Sequence, residues 1–284
     1  MATESAQATL QTQLQNPEFD GYLEKPEPGQ ALNAATILEQ AAQLAQVPIS
    51  GFRVGAFARG ASGRCYLGAN LEFTGVPLSS SLHAEQSAVL NAWMHGESGI
   101  EALHVSAQPC GHCLQFLQEL DEAGSLRLFV DGHEHRLSDF LPHPFALCGS
   151  GGSPGLFHRA PHPLVALKPT EDTTAQRAIN AASQSYCPYS HSYEGMVLET
   201  VSGRFFAGRA VESAAFNPSI PPIVAALNQR NLSAWRFEAI SRAIHAKLAT
   251  ALNHSLPLSE AILKTIASAL VEVLPVETEA HDRR

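Results

Sequence analysis

SGRCYLGANLE, residues 62–72, is followed 140 positions later by SGRFFAGRAVE, residues 202–212. The two segments share a Ser-Gly-Arg turn and the spacing of a glycine and a glutamate. Without a gap, the identical pairs at this offset include Pro48/Pro188, Ser50/Ser190, Gly63/Gly203, Arg64/Arg204, Gly68/Gly208 and Glu72/Glu212. Chance can align any two of these pairs but not the whole run, so the chain of 284 residues contains two copies of one fold.

The first copy has the hydrophobic pattern of a sheet covered by helices. Apolar residues three and four positions apart predict helices, and short β-rich runs between turns predict strands. The predicted elements are, in order, a helix ending near Val47-Pro48, a hairpin over 52–69 with its turn at Ala61-Ser62-Gly63, a helix from about His83 to His95, a strand at 102–107, a helix over 111–124 that Gly124 terminates and a strand at 126–130. A mixed sheet with helices on its faces belongs to the α/β class.

The repeat and the composition divide the chain into four segments. We expect a short helical segment at 1–46, a first, catalytic domain at 47–148 and a second, repeated domain at 171–284. The glycine- and serine-rich run at 149–155 indicates an exposed connection, and we expect the linker to span 149–170. The predicted architecture is two tandem α/β domains behind a short N-terminal segment.

Charge and hydrophobicity exclude several classes of partner. With 27 acidic and 18 basic residues the formal net charge is −9, whereas proteins that bind nucleic acid cluster Lys and Arg against the phosphates. Apolar runs end before the roughly 18 residues that span a bilayer, and the N-terminus lacks the basic and apolar regions of a signal peptide. Five cysteines, an odd number, favour a reducing compartment. We therefore expect a cytoplasmic protein with no membrane and no nucleic-acid partner.

Two cysteines and one histidine have the spacing of zinc ligands. Cys110 and Cys113 lie three positions apart, so both can face one ion from a single helix, and a helix N-terminus favours their thiolates. His83 supplies a third ligand, and a catalytic zinc site has three protein ligands with a fourth position open for water. The remaining cysteines occur singly and are expected to be buried free thiols: Cys65, Cys148 and Cys187.

Glu85 follows His83 by two positions, and this spacing constrains the helix. Residues i and i+2 of a helix point about 200° apart, so the two side chains cannot converge on one ion from mid-helix. We therefore predict that the helix begins at or beside His83. Glu85 can then approach a metal-bound water as a general acid/base without being a ligand.

The same residues admit other interpretations. A lone Cys-x-x-Cys also suits a thioredoxin-like redox pair, but that leaves His83-Ala84-Glu85 unexplained and puts Pro109 where an aromatic residue is usual. His112, between the cysteines, is expected to point away from their face as a packing residue. The other histidines, His104 among them, lack partners at metal spacing and are expected at the surface.

Carried forward by 140 positions, the metal site has no second copy. His83 corresponds to Ile223 and Glu85 to Ala225, and no Cys-x-x-Cys follows. We therefore expect the second domain to have kept the fold and lost the metal, with one zinc ion per subunit.

His-Ala-Glu followed by Pro-Cys-x-x-Cys is the signature of the zinc deaminases, in which the Glu is the acid/base. The chain resembles a cytidine deaminase of the long-subunit, homodimeric type over residues 30–275. The resemblance rests on five stretches: FRVGAFARG, GANLEF, SLHAEQSA, PCGHC and, in the second half, ESAAFNPSIPP. It implies a hydrolase of pyrimidine salvage that converts free cytidine and 2′-deoxycytidine to uridine and 2′-deoxyuridine with release of ammonia.

The resemblance also implies the roles of individual residues. His83, Cys110 and Cys113 would bind zinc, zinc-bound hydroxide would attack C4 of the cytosine, and Glu85 would shuttle the proton. The implied substrate contacts are base packing by Phe52, ribose hydrogen bonds from Asn70 and Glu72, and backbone contacts from Ala84. In such dimers the second domain walls the partner's site, and the candidates in trans are Ala215 and Phe216. From the residues alone, Asn70 and Glu72 are better explained as polar residues at the end of a hairpin.

Three alternatives remain open at the level of sequence. A deaminase of another amino-heterocycle or of a polynucleotide would use the same zinc set, although the acidic charge disfavours the polynucleotide. A thiol oxidoreductase would need Cys110 and Cys113 but not His83. In a zinc protein that is not an enzyme, the site would only hold the fold and Glu85 would have no role.

Overall fold

The computed structural model describes residues 16–26, 32–146, 155–158, 160–267 and 269–279. The strands of these residues are Tyr22–Leu23 (β1), Gly55–Gly60 (β2), Cys65–Ala69 (β3), Ile100–Val105 (β4), Arg127–Val130 (β5), His133–His135 (β6), Leu164–Ala166 (β7), Glu194–Thr200 (β8), Phe205–Arg209 (β9), Ile240–Leu248 (β10) and Val271–Thr278 (β11). The α-helices are Ala34–Gln43 (α1), Ala84–Met94 (α2), Gly111–Phe116 (α3), Leu137–Phe140 (α4), Thr173–Ser183 (α5), Pro222–Leu232 (α6) and Leu256–Ile266 (α7). Within the described part of the chain, none of these helices combines the length and the hydrophobicity needed to cross a membrane.

The strands form two mixed sheets, one for each copy of the repeat. Their orders are β1-β3-β2-β4-β5-β6 and β7-β11-β10-β8-β9. In both sheets an antiparallel hairpin, β2–β3 or β8–β9, is joined by a third antiparallel strand, β4 or β10. That third strand pairs in parallel with a fourth, β5 or β11. The predicted α/β class and the tandem repeat are therefore confirmed.

Helices cover both faces of each sheet, and glycines allow them to come close. A Cβ on Gly55 would lie 2.1 Å from a carbonyl oxygen of α1, and one on Gly68 would lie 2.4 Å from a carbonyl oxygen of α2. In the second sheet, Gly195 faces α5 and Gly208 faces α6 in the same way. Successive odd and even positions of a strand point to opposite faces, so α1 and α5 are the outer helices and α2 and α6 lie between the sheets.

The two central helices join the halves into one core. The sequence of α2, AEQSAVLNAWM, has no polar face, and its residues from Ala84 to Trp93 are all buried. Ser87 Oγ donates to Asn228 Oδ1 of α6 across 2.6 Å, and Asn228 Nδ2 donates to the Ser87 carbonyl across 3.2 Å. These bonds satisfy polar groups that would otherwise be stranded in the core.

Corresponding residues of the two halves are 140 positions apart throughout the hairpins, but this offset is wrong at the central helices, α2 and α6. Gly68 lies against the Ala84 carbonyl and the Ala88 amide, and its counterpart Gly208 lies against the Pro222 carbonyl and the Ala226 amide. The connection from the hairpin to the central helix is therefore two residues shorter in the second half.

This shorter connection changes which residues correspond to the metal site. Because α2 begins after His83 and α6 after Pro221, His83 corresponds to Pro221 and not to Ile223. Glu85 likewise corresponds to Ile223 and not to Ala225. Pro221 and Ile223 are no better suited to bind a metal than Ile223 and Ala225, which the sequence analysis expected at these positions.

Two of the predicted segments and one helix differ from the structure. The helix predicted over 111–124 ends at Phe116 and continues as a single 3-10 turn, Leu117–Glu119, because Glu119 is drawn into contacts with the second half rather than because Gly124 stops the helix. The N-terminal segment predicted as helical also contributes β1, and the predicted linker contributes β7, each paired at a sheet edge. Residues 1–15, 27–31, 147–154, 159, 268 and 280–284 lie outside the described residues, and the limits of the four segments stay predictions.

His104 is half-buried in a stack of aromatic rings and is not a surface residue. Its ring lies parallel to Phe57 and to Phe129, with centroids 4.3 Å away on both sides. The Arg127 guanidinium covers the far side of Phe129 at 5.0 Å. Burial, with added repulsion from Arg127 and Arg59, lowers the pKa of His104 to about 4. The imidazole is therefore neutral in the folded protein near neutral pH.

We expect the His104→Phe variant to lose less stability at acid pH than the unchanged protein. The folded protein keeps His104 neutral, whereas the unfolded chain protonates it below a pKa of about 6.5. The contribution of this residue is therefore complete above that pH and is lost as the pH falls toward about 4. Urea unfolding of both proteins at pH 7.5 and pH 5 measures it, and equal losses of stability in the two proteins would contradict the assignment.

Gly68→Ala is expected to destabilise the fold by about 2–3 kcal/mol, because the new Cβ forces α2 away from β3. Gly208→Ala meets the same clash against α6 and should cost as much, but only Gly68→Ala displaces the turn that carries His83 and should weaken zinc binding. Gly124→Ala, where no atom lies within 4 Å of the new Cβ, is the matched control. Urea unfolding and zinc content after dialysis test this, and the idea fails if Gly68→Ala behaves like Gly124→Ala.

Candidate metal centre

His83 is the N-cap residue of α2. Its backbone is extended, with φ −87° and ψ 158°, and its amide donates to Gln86 Oε1 across 3.3 Å. This is one half of a capping box, which fixes where the helix starts. The prediction that the helix begins at or beside His83 is confirmed. Glu85 is consequently the second residue of the helix and does not lie in mid-helix opposite the ligand.

The two cysteines lie at the start of α3. Cys110 is the N-cap residue, with φ −86° and ψ 164°, and Cys113 is the third helical residue. Cys110 is exposed and Cys113 is fully buried. Cys65 and Cys187 are buried free thiols as predicted, whereas Cys148 lies outside the described residues.

The three ligand atoms have the separations that one zinc ion requires. His83 Nδ1 is 3.4 Å from Cys110 Sγ and 3.3 Å from Cys113 Sγ, and the two sulfurs are 3.8 Å apart. Tetrahedral zinc, with Zn–S near 2.3 Å and Zn–N near 2.0 Å, separates two sulfurs by roughly 3.8 Å and nitrogen from sulfur by roughly 3.5 Å. Among the described residues, this is the one group of three potential ligands so arranged. Three protein ligands leave a fourth position for water, as catalytic sites do.

Hydrogen bonds among the three ligand side chains shift their pKa values. Hydrogen bonds from Cys113 and His83 lower the pKa of Cys110 to about 3 against the effect of burial, while the bond to Cys110 and burial raise the pKa of Cys113. The hydrogen bond with Cys110 also raises the pKa of His83. Of the two thiols, Cys110 therefore loses its proton more readily. Zinc binding releases such protons because the thiolate is the form that binds the metal.

Glu85 is buried beside the ligands, with 4% of its surface exposed. Burial raises the pKa of Glu85, and its own backbone amide, the His83 ring and the Cys113 thiol act in the opposite direction. The carboxyl group therefore lies close to two of the ligands without belonging to the ligand group. A raised pKa makes a carboxylate a better proton acceptor, as a general acid/base requires.

His112 and Ala84 support the metal ligands. The His112 ring packs over the His83 ring, with centroids 5.4 Å apart and planes 29° apart, so it is a packing residue as expected. Ala84 is fully buried and its carbonyl is the group that approaches Gly68. Its backbone N–H belongs to the first turn of α2, where amides have no partner within the helix.

Asn70 holds the segment that carries Phe52. Asn70 Oδ1 accepts from the Val54 amide across 2.9 Å, and Asn70 Nδ2 donates to the Phe52 carbonyl across 2.9 Å. The Phe52 side chain is 63% exposed. The position of this aromatic ring at the surface thus depends on Asn70.

Glu72 caps the turn just before Phe52. It accepts from the Ser50 hydroxyl at 2.5 Å and from the amides of Ile49 and Ser50 at 2.9 and 3.0 Å, and these three bonds lower its pKa although burial acts to raise it. In the second half, Glu212 accepts from the amides of Tyr189 and Ser190 in the same arrangement. The turn cap is therefore a property of the repeated fold. A carboxylate has about four acceptor sites, so Glu72 retains capacity for a further donor.

The second half holds no equivalent metal site in its described residues. Pro221 takes the place of His83, and Ser255 and Leu258 take the places of the cysteines when α7 is counted from its N-cap. None of the three offers the nitrogen or thiolate that zinc prefers.

Ala215 and Phe216 lie in a tight loop between β9 and α6. The Phe216 amide donates to the Ser213 carbonyl across 2.9 Å, and the Ser219 amide donates to the Phe216 carbonyl across 2.9 Å. Phe216 has φ +61° and is 63% exposed. The loop is bonded to the first half of its own chain, because the Pro218 carbonyl accepts from Gln86 Nε2 of α2 across 2.9 Å.

One buried carboxylate near the site was missed by the sequence analysis. Glu119 follows α3 and is 5% exposed. An acidic residue within the apolar run LQFLQEL is a weak signal for it, because its partners lie in the other half of the chain.

Each half of the chain matches one family, described as the cytidine and deoxycytidylate deaminase zinc-binding region, over residues 30–125 and 137–256. A cytidine deaminase of Pectobacterium carotovorum subsp. carotovorum is 38% identical over 278 residues, which cover 94% of this chain and 93% of that protein. The chain belongs to the cytidine deaminase family. A cytidine deaminase of Salmonella agona is 43% identical over 215 residues, covering 75% of this chain and 72% of that protein. The crystal structure of cytidine deaminase from Mycobacterium tuberculosis is 33% identical, with 39% of this chain and 93% of that chain covered and a TM-score of 0.36.

Membership of the cytidine deaminase family confirms zinc as the cofactor, and the donor set of His83, Cys110 and Cys113 fits it. The second match, over residues 137–256, spans a half whose corresponding positions include Pro221. The family's fold is thus present twice, and the fitting ligand set occurs once among the described residues.

We expect Cys113→Ala to weaken zinc binding by more than about 100-fold, since even residues that only orient a ligand change metal affinity by about 10–100-fold. Cys65→Ala removes another buried thiol of the same domain and is the matched control, with zinc content unchanged. Metal analysis of both variants after dialysis against a chelator provides the measurement. Equal zinc content in the two would exclude Cys113 as a ligand.

Proposed function

We propose that the protein catalyses the hydrolytic deamination of free cytidine and 2′-deoxycytidine to uridine and 2′-deoxyuridine, with release of ammonia. The observation that carries the proposal is a buried carboxyl group, Glu85, beside a three-ligand zinc set in a chain of this family. Relatives that carry the name cytidine deaminase support the choice of substrate. The reaction belongs to pyrimidine salvage, and we propose that it takes place in the cytoplasm.

Glu85 is the proposed acid/base of the reaction. His83, Cys110 and Cys113 would hold the zinc ion, which when bound would lower the pKa of a water molecule toward about 7 and so supply the nucleophile for C4. Glu85 accepts the first proton of that water and delivers it to N3 of the ring, where it stays in the product. The second proton passes by the same carboxylate to the amino group, which leaves as ammonia. Glu85 ends the cycle ionised, as it began.

The first domain supplies the proposed substrate contacts. Phe52 would pack against the pyrimidine, Asn70 and Glu72 would bind the ribose hydroxyls, and the free amide of Ala84 would contact the base. Because the hydrogen bonds to Glu72 lower its pKa, the residue is ionised and would repel a phosphate on the sugar. The unphosphorylated nucleoside is therefore the favoured substrate.

We further propose a homodimer in which Ala215 and Phe216 wall the pocket of the partner subunit. A phenylalanine with positive φ is strained, whereas the loop after β3 has glycine, Gly75, at its position of positive φ. Burial of the ring within its own chain does not offset this strain, because Phe216 is 63% exposed. An exposed, strained aromatic side chain suits a contact with a second subunit.

Glu85→Gln is expected to leave zinc at the level of the unchanged protein and to lower ammonia release from cytidine by about 10²–10⁴-fold, because the amide cannot carry the proton. Glu97→Gln is the matched control. Glu97 is also buried and lies just beyond the other end of α2, so its variant should retain the activity. Ammonia release and zinc content are measured for all three proteins. An active Glu85→Gln variant would remove the basis of the mechanism, and loss of zinc in it would make Glu85 a structural residue.

A further inference from the structure

Glu119 lies where the two halves of the chain meet near the metal site. It ends the 3-10 turn Leu117–Glu119 that directly follows α3, six positions after the ligand Cys113. Its side chain is buried, and the mechanism above gives it no role. A buried carboxylate is costly unless it is fully hydrogen-bonded, so its partners indicate what it is kept for.

Within the described part of the chain, the Glu119 side chain has three hydrogen-bond partners, and all three belong to the second half. Glu119 Oε2 accepts from the hydroxyls of Tyr186 and Tyr189 at 3.0 and 2.7 Å, and Oε1 accepts from the Ala214 amide at 2.7 Å. Burial and the Glu119 carboxylate raise the pKa of Tyr189, so its hydroxyl stays protonated and donates. Hydrogen bonds to an ionised acceptor are stronger than neutral ones and hold their geometry more firmly.

The bond to Ala214 fixes the base of the loop that presents Phe216. Ala214 follows Ser213, whose carbonyl accepts from the Phe216 amide and whose amide donates to Ser219 Oγ across 3.0 Å. The loop is thus closed by its own bonds. Two side chains of the first half attach the loop on either side of Phe216: Glu119 Oε1 accepts from the Ala214 amide across 2.7 Å, and Gln86 Nε2 donates to the Pro218 carbonyl across 2.9 Å.

The repeated fold does not require this carboxylate. Counted from the helix N-caps Cys110 and Ser255, the position of Glu119 corresponds to Lys264 in α7. Lysine has no acceptor, and Lys264 is exposed. Glu119 therefore attaches the loop that carries Phe216, whereas Lys264, its counterpart in the second half, cannot accept such hydrogen bonds.

We propose that Glu119 is a positioning residue that holds the Phe216 loop against the helix carrying Cys110 and Cys113. The inference rests on the proposed function, in which Phe216 walls the pocket of the partner subunit. Glu119 of one subunit then sets how tightly the other subunit binds its nucleoside. It contacts neither the substrate nor the reacting atoms.

The Glu119→Gln variant tests the inference, because it should change KM and leave kcat nearly unchanged. The variant should keep its zinc and raise KM for cytidine about tenfold, the equivalent of about 1.4 kcal/mol from weakened charged hydrogen bonds, with kcat changed by less than about twofold. Tyr189→Phe removes one of the bonds and should raise KM less. Glu97→Gln is the control, because Glu97 is equally buried and accepts from the Tyr66 hydroxyl at 3.1 Å and the Ser98 amide at 2.9 Å. An unchanged KM in Glu119→Gln, or the same rise in Glu97→Gln, would overturn the inference.

Mixed dimers decide whether Glu119 acts on the other subunit. Glu119→Gln chains are unfolded and refolded with a large excess of Glu85→Gln chains, so that each active site combines Glu85 of the first chain with the Phe216 loop of the second. We expect KM in the mixture to return to that of the unchanged protein. A KM that stays raised would mean that Glu119 acts within its own subunit, which contradicts the inference.

The proposed function is checked separately in the same series. If the unchanged protein released no ammonia from cytidine, the proposed function would fail and this inference with it. If the unchanged protein is active and Phe216→Ala raises KM but Glu119→Gln does not, only the inference about Glu119 fails. Restoration of KM when Phe216→Ala is mixed with Glu85→Gln supports the pocket wall in trans.

Discussion

The contact between Gly68 of β3 and the first turn of α2 determines where His83 and Glu85 lie. The Ala84 carbonyl and the Ala88 amide come so close to Gly68 that a Cβ there would be 2.4 Å from both. His83 and Glu85 flank Ala84, so this one contact sets the depth and the rotation of both side chains. α2 can approach so closely because its other side is covered by α6, and each half therefore completes the core of the other.

In the second half, α7 corresponds to α3 and is fixed in place without zinc. In the first half, the start of α3 holds two metal ligands, Cys110 and Cys113. At the start of α7, Ser255 takes the place of Cys110, and both its amide and its hydroxyl donate to Glu194, at 3.0 and 2.6 Å. Glu194 is 4% exposed and lies at the first position of β8. A buried carboxylate thus anchors the helix that a metal anchors in the other half, which explains how the site could be lost while the fold was kept.

Local features of this molecule could be predicted from its sequence, and long-range ones could not. The zinc ligands and the start of α2 followed from spacing, since i and i+2 cannot face one ion in mid-helix. The two-residue shortening before α6 was missed because the identities that set the offset end at Glu212, before the change occurs. The early end of α3 and the role of Glu119 depend on partners about 70 to 95 positions away, Tyr186 and Ala214 among them. Local pattern contains no information about such partners, and the stacking of His104 between strands was missed for the same reason.

The inactive half serves as an internal comparison for the proposed pocket. Glu72 makes the same turn-capping bonds as Glu212, which lies in a half without a ligand set, so those bonds cannot be what distinguishes an active domain from an inactive one. Asn70 is different, because Ala210 occupies its position and the corresponding segment is bonded instead to Asn253, whose Oδ1 accepts from the Ser192 hydroxyl across 2.5 Å. Asn70 ties the segment that carries Phe52, and Ser192, which is buried, stands where Phe52 would be. The second half therefore lacks the pair of Asn70 and Phe52 as well as the three-ligand set, whereas it keeps the turn cap that Glu72 makes in the first half.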